Sequence, residues 1–425
     1  MKSVLKLVTL AIVLLMGYSI SAQDKNPRNF DNYRQPDQRG VNVFEPKKDT
    51  LTTFEDLHVR IGGSFALQYQ ALDNENSGVV PLKEIGYNFN LATANLDLDV
   101  ALYDGVSMHL RTYLSSRHHN EPYVKGGYFQ VDKLDFIKEG FLEDIMKHTT
   151  IKIGHMENNY GDAHFRRSDN AQAIHNPFVG NLIMDSFTTE VGAEVYYNTG
   201  NGFFGMLGFT NGKLNQSVEE SNGSTGGAVF LAKLGYDKQI SDDLRFRLTG
   251  SLYNTGYAPN VYLYNADRAG SRYYDVLQDA TATSDNFRSG RFTPGFSNQI
   301  TAIMINPFVK YGGLEVFGTV ELSSGRALSE ADRRDATQYA GEVLYRFGEA
   351  ENVYLGARYN TVSAELASGD DIDINRFQLG AGWFLTQNIL MKAEYVNQEY
   401  SGYGTGNLLE DAQFNGLMLE AVISF

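Results

Sequence analysis

The sequence of 425 residues has no cysteine, one tryptophan and nine prolines. The missing cysteine excludes disulfides, thiolate catalysis and thiolate metal sites, and with them a lipidated-cysteine membrane anchor. Basic residues are outnumbered: the formal net charge is −15, which argues against a nucleic-acid partner. No long hydrophobic run occurs beyond the first two dozen residues, so no transmembrane helix is expected after them. Catalytic and cofactor signatures are also scarce. Gly200, Gly202 and Gly205 mimic a dinucleotide fingerprint, but strand-like FFGMLGFT follows where a helix is needed, so they are read as a hairpin turn. DDIDIN at 370–375 starts like a calcium loop, yet Arg376 stands where glycine belongs. Histidines cluster between His58 and His175 without a zinc spacing, so no metal and no cofactor are expected.

What is abundant points one way. Tyrosine and phenylalanine number 26 each and glycine 42, a strand-and-turn composition. Residues 1–22 read as a signal peptide: Lys2 and Lys6, an apolar run from Val8 to Met16, then small residues at Ser19, Ser21 and Ala22. Residues 23–56 are charged and lack a period, which predicts an extended N-terminal segment. From Leu57 the texture turns to alternation. In HVRIGGSFALQYQA, Val59, Ile61, Phe65 and Leu67 share one parity, and Arg60, Ser64, Gln68 and Gln70 the other. Successive strand side chains point to opposite faces. Each such strand is therefore apolar on one face and polar on the other.

The pattern recurs in about sixteen segments up to LMLEAVISF at the end, each long enough to cross a bilayer at a tilt. The connections alternate between short turns, such as YDG at 103–105 and YGG at 311–313, and long loops. Short turns on one rim and long loops on the other predict an all-β fold, a closed antiparallel transmembrane barrel over residues 57–425. Closure is required because hydrocarbon offers no partner to an open sheet edge. A soluble sandwich or propeller would have shorter strands and no alternation of loop length. An even strand count would put both termini, and the 23–56 segment, on the periplasmic side.

The stretch YGDAHFRRSDNAQAIHNPFVGNLIMD at 160–185 interrupts two strands. A loop this long is usually functional. A barrel of about sixteen strands is wide enough for an aqueous channel. Folded inward, the loop near 159–187 would form a constriction lined by His164, Arg166, Arg167 and His175, offset by Asp162 and Asp169. Histidines titrate near pH 6.5, so His164 and His175 are expected to add positive charge to the pore as pH falls. Strand parity places Arg60, His109, Arg111, Arg117, Lys233, Arg245, Arg247, Arg346, Arg358, Arg376 and Lys392 in the lumen. It adds Asp97, Asp99, Glu190, Glu194, Glu315, Glu321, Glu342, Glu394 and Glu420. The signs nearly balance, which supports weak anion preference at best and a transverse field across the pore.

The chain resembles a bacterial outer-membrane general porin and, more narrowly, the family of phosphate-selective porins O and P. The resemblance covers about residues 57–425. Its sharpest point is TIKIGHMENNYGD at 150–162, similar to that family's strand of alternating basic and aliphatic residues, its glycine and its approach to the constriction loop. The family continues with a lysine and a Pro-Phe-Gly turn. Here HMENNYG keeps only Tyr160–Gly161, so phosphate selectivity is not implied. The terminal Phe425 resembles the signal read by barrel-assembly machinery. The resemblance implies a non-enzymatic channel in the lipid bilayer of the outer membrane, passing small hydrophilic solutes or anions by diffusion, with a homotrimer among the assemblies it allows. Two other readings stay open: a structural or adhesive barrel whose N-terminal segment binds envelope partners, and a lipase-like barrel enzyme.

Overall fold

A computed structural model describes residues 30–48, 54–114, 123–168, 172–213, 228–258, 260–265, 272–284, 286 and 288–425. The signal-peptide assignment, Arg117 and Asp169 lie outside the described residues.

Sixteen antiparallel strands close on themselves. The first eight are β1 (His58–Glu75), β2 (Asn88–Tyr103), β3 (Val106–Leu114), β4 (Tyr123–Val131), β5 (Thr149–Glu157), β6 (Thr189–Asn198), β7 (Phe203–Thr210) and β8 (Val229–Gln239). The rest are β9 (Leu244–Thr255), β10 (Gln299–Tyr311), β11 (Leu314–Arg326), β12 (Arg334–Phe347), β13 (Val353–Glu365), β14 (Asp371–Thr386), β15 (Ile389–Ser401) and β16 (Gln413–Ser424). Each pairs with its sequence neighbours, and β16 returns to β1 in a register running from Ser64↔Ser424 to Glu75↔Gln413. No edge is left, so every strand can satisfy its backbone without water.

The usual inside-out order of a soluble protein is reversed. On β11, Leu314, Val316 and Leu322 are exposed on the outside while Glu315 and Glu321 are buried. Leu234 is 74% exposed on the outer surface, whereas Arg247 on the next strand is 1% exposed inside. Such a wall is stable only if its outer solvent is apolar. Tyr103, Tyr197, Tyr311 and Tyr345 stand exposed near the short-turn rim, where amphipathic rings suit a membrane interface.

The turns explain the rims. Gly200 and Gly202 adopt φ of 78° and 111° in the β6–β7 hairpin, a conformation other residues rarely reach. The dinucleotide-like spacing is thus turn chemistry. The β4–β5 connection is the longest of the short-turn rim and holds a one-turn helix at Glu143–Met146. On the opposite rim, the described residues of the connections at 158–188 and 256–298 turn into the barrel.

Candidate lumen site

The loop after β5 enters through a tight corner. Gly161 has φ of 70°, and a Cβ there would meet the sulfur of Met304 on β10 at 2.1 Å. The positive φ and the Met304 side chain both favour glycine at this corner. Asp162, just beyond, is fully buried. Arg247 lies 2.7 Å from it and Lys233 also 2.7 Å, while Thr249 donates to it at 2.9 Å. Burial alone would raise the Asp162 carboxyl; Arg247 and Lys233 outweigh that and hold it below its ordinary range.

The loop then runs across to β15 and is clamped along its length. Gln338 of β12 accepts from the Met184 N–H at 2.9 Å and donates to its carbonyl at 2.8 Å. Asn360 of β13 accepts from Ile183 N–H at 2.7 Å, and Glu394 of β15 accepts from Val179 N–H at 2.8 Å. Lys392 donates to the carbonyls of Ala173 and Phe178, both at 2.9 Å. Val179, Ile183 and Met184 are completely buried in the main apolar cluster inside the barrel. The loop at 256–298 covers it from the long-loop side. Phe292 N–H donates to Ile183 O at 2.8 Å, Tyr264 to Glu321 at 3.0 Å and Tyr273 to Glu394 at 2.7 Å.

The N-terminal segment completes the filling. Residues 30–48 lie inside the short-turn mouth instead of trailing from it. Gln38 N–H donates to Gln387 O in the β14–β15 turn at 3.0 Å. Tyr33 donates to Asp99 at 2.8 Å, and Lys48 pairs with Asp132 at 2.8 Å. Phe44, 1% exposed, packs on Phe308, Phe317 and Phe165. Glu45 lies 2.6 Å from Arg247 and 2.8 Å from Lys233. The absence of a period predicted an extended chain. It gave no sign of what the chain would touch.

The expected constriction residues come together, but as partners rather than free charges. Arg166 pairs with Glu342 at 3.1 Å, stands 4.0 Å from Glu315 and donates to Asn42. Arg167 donates twice to Asp185, at 2.8 and 2.6 Å, and stacks 3.9 Å over the Phe187 ring. His164 bridges Glu157 and Asn159. A cation taken out of water needs such partners, and that is the reason none of these is left free. His175 faces the Asp37 carbonyl at 3.3 Å. Burial, reinforced by the charge of Arg34, pushes His175 well below its ordinary pKa. The expectation that it gains charge as pH falls through 6.5 is therefore corrected: this ring is held neutral.

The inward-facing strand residues divide into two groups. On the wall from β8 to β16, Arg247, Arg346, Arg358, Lys233 and Lys392 have side-chain exposures of 1, 4, 2, 0 and 1%. Arg346 holds Glu315 at 2.7 Å, Arg358 holds Glu342 at 2.7 Å and Lys392 holds Glu420 at 2.6 Å. Arg376 donates to Asn181 O, to Gly290 O and to Gln398. Glu321 accepts from Tyr160, Tyr264 and Gln338. Nearer the mouth this wall is open too: Arg245 pairs with Asp237 at 2.6 Å with 23% of its side chain exposed, and Lys310 pairs with Glu351 with 24% exposed. On the wall from β1 to β5, Arg60, His109 and Arg111 are 22, 18 and 18% exposed, and their partners are Asp99, Asp99 and Asp97. Lys152 of β5 is half-buried over the rings of Tyr128 and Tyr196, at 5.3 and 5.2 Å, with no carboxylate partner among the described residues. Phe425 sits past the end of β16, its backbone bonded both ways to Gly63 at 3.0 Å and its ring exposed.

No protein-family model matches the chain, and no curated protein matches it. Solved structures do share its fold. The anion-selective porin from Comamonas acidovorans superposes with a TM-score of 0.53 at 10% identity, covering 87% of this chain and 100% of that one. OmpT, an outer membrane protein of Vibrio cholerae, gives 0.52 at 12% identity as a loop L8 deletion mutant, again covering 87% and 100%. Its in-vitro folded trimer form gives 0.52 at 11%, covering 87% and 100%. At these identities the likeness is one of fold: the closed antiparallel β-barrel. The narrower resemblance to the phosphate-selective porins gains no support from them.

Proposed function

We propose that this chain is an outer-membrane channel for passive diffusion of small hydrophilic solutes or ions. We place its path along the β1–β5 wall. One observation carries the reading: the barrel turns its apolar residues outward and its ionisable residues inward, and Arg60, His109 and Arg111 of β1–β3 keep 18–22% of their side chains in contact with solvent, as the mouth residues Arg245 and Lys310 do on the other wall. A wall that faces lipid outside and partly hydrated charges inside is what a water-filled passage requires. Ion preference is weak in this reading. Arg60, His109 and Arg111 are matched by Asp97 and Asp99, and the loop arginines by Glu342 and Asp185. Lys152 supplies a modest bias toward anions, the preference for which the Comamonas acidovorans porin is named. Phosphate selectivity is not part of the proposal. Export by the N-terminal signal, assembly through Phe425 and the barrel-assembly machinery, and a trimeric state belong to the same reading.

The deciding measurement is single-channel conductance in planar bilayers with a reversal potential under a salt gradient. Discrete steps with a near-zero to slightly anionic reversal potential support the channel. A folded barrel that never conducts, even after deletion of 163–175, favours the second reading, a structural barrel. That alternative has its own motive in the dense filling of the lumen by three segments.

A further inference from the structure

We infer that residues 30–48 are a displaceable strap closing the short-turn mouth of the channel, while the 158–188 loop is a fixed part of its wall. This regulation rests on the channel reading above. The two segments share one lumen but are held by different chemistry.

Consider first what the wall would lose if the strap left. Asn42 donates to Glu315 at 2.5 Å, but Glu315 keeps Arg346 at 2.7 Å. Glu45 binds Arg247 and Lys233, but both keep Asp162 at 2.7 Å. Tyr33 donates to Asp99, which keeps Arg60 at 2.9 Å and His109 at 2.7 Å. Lys48 pairs with Asp132, which keeps Thr150 and Gln130, each at 2.7 Å. Every charged wall group the strap's side chains pair with has a second partner on the barrel or the fixed loop. Departure of the strap therefore orphans no buried charge, which is the usual obstacle to pulling apart buried ion pairs. The strap's own Glu45 and Lys48 would return to water.

The loop is held differently. Glu394, Gln338 and Asn360, which bind its backbone, would keep Tyr273, Glu321 and Gln338 as partners. Its removal would instead expose Val179, Ile183 and Met184, all fully buried in the main apolar cluster. The strap's deepest apolar anchor is Phe44, in the cage of Phe165, Phe308 and Phe317, with Phe30 and Val41 as lesser ones. One deeply buried ring among replaceable polar contacts makes a latch.

The test exploits the lack of cysteine. Gln38→Cys with Gln387→Cys places two thiols where the strap and the β14–β15 turn are hydrogen-bonded backbone to backbone at 3.0 Å, and a free-thiol assay verifies that the disulfide forms. Oxidised, this variant should conduct less than wild type; reduction should restore the wild-type level. Phe44→Ser should raise the open-to-closed ratio on the order of ten-fold or more, from the loss of one fully buried phenylalanine. Deleting 30–48 should give the largest conductance, and the two point-variant arms stand even if this deletion fails to fold. If wild type conducts and crosslinking, reduction and Phe44→Ser all leave its conductance unchanged, the strap is fixed and the inference is overturned while the channel stands. If no variant conducts, with 163–175 deleted as well, the channel reading falls and takes the strap with it.

Discussion

The β1–β5 wall and the β8–β16 wall carry the same sequence alternation, yet their inward charges meet different surroundings. Arg111 of β3 binds Asp97 with 18% of its side chain still exposed. Arg247 of β9 binds Asp162 and Glu45 with 1% exposed. Parity decides which side chains turn inward. What folds over them decides whether they serve a passage or a packed interior. Three segments lie against the second wall, and the same residue types there become structural. The charge of a lumen residue is thus a poor guide to selectivity until its cover is known.

The largest effect should separate the two walls by stability. Arg247→Met would leave Asp162 and Glu45 sharing Lys233 in a fully buried site, and breaking such a network costs about 3–5 kcal/mol. Arg111→Met leaves Asp97 partly within reach of water and should cost about 1 kcal/mol or less. Denaturant midpoints, read from heat-modifiable gel mobility, measure both. Equal losses would erase the distinction. A control asks whether the walls differ only on the inside. Leu248→Arg on β9 and Ile153→Arg on β5 both put a charge on the outer face and should each cost about 2–4 kcal/mol near the bilayer midplane. A large difference in folded yield between them would mean that the outer faces are not equivalent.

The wall was legible in the sequence because a barrel strand has two environments and a period of two. Alternation and loop-length asymmetry yield all sixteen strands, and β10 and β11 meet at the expected YGG turn of 311–313. The inward turn of the 158–188 loop was legible from its length and place. Its docking was not read, although HNPFVGNLIMD carries a signal: Phe178, Val179, Ile183 and Met184 are too apolar for a water-filled constriction, and all four are buried. The strap was not legible at all. Asn42 and Glu315 lie 273 positions apart, and no local period records a contact across a lumen. The second inward loop escaped notice for the same reason. Tyr264 and Tyr273 reach Glu321 and Glu394 from a segment with no regular pattern.

The next effect is electrical. Lys152→Glu should move the reversal potential toward cations, because this ammonium faces the wetter wall without a carboxylate partner among the described residues. The shift should grow at low salt, where screening is weaker. Arg166→Gln should leave the reversal potential nearly unchanged and show itself in stability, since its charge is already spent on Glu342. If Arg166→Gln moves the potential more than Lys152→Glu, the path runs past the loop and the assignment of the two walls must be exchanged.

The smallest expected effect concerns pH, and it joins the strap to the loop. His175 stands at that junction, with the Asp37 carbonyl against its Nε2 at 3.3 Å. Its pKa is depressed by burial first and by Arg34 next. A histidine depressed in the folded state is neutral there, while the undocked ring titrates at its ordinary value. The undocked state then binds more protons below about pH 6.5. Docking is therefore fully stable above that pH and weakens as pH falls, by about 1.4 kcal/mol for each unit until the depressed pKa is reached. Acidification from pH 7.5 to 5.5 should loosen the strap and raise conductance without increasing anion preference. His175→Gln, which cannot take up a proton, should flatten that dependence. A rise in anion preference at low pH that His175→Gln abolishes would place this ring in the water-filled path and move the boundary between the two walls to the loop itself.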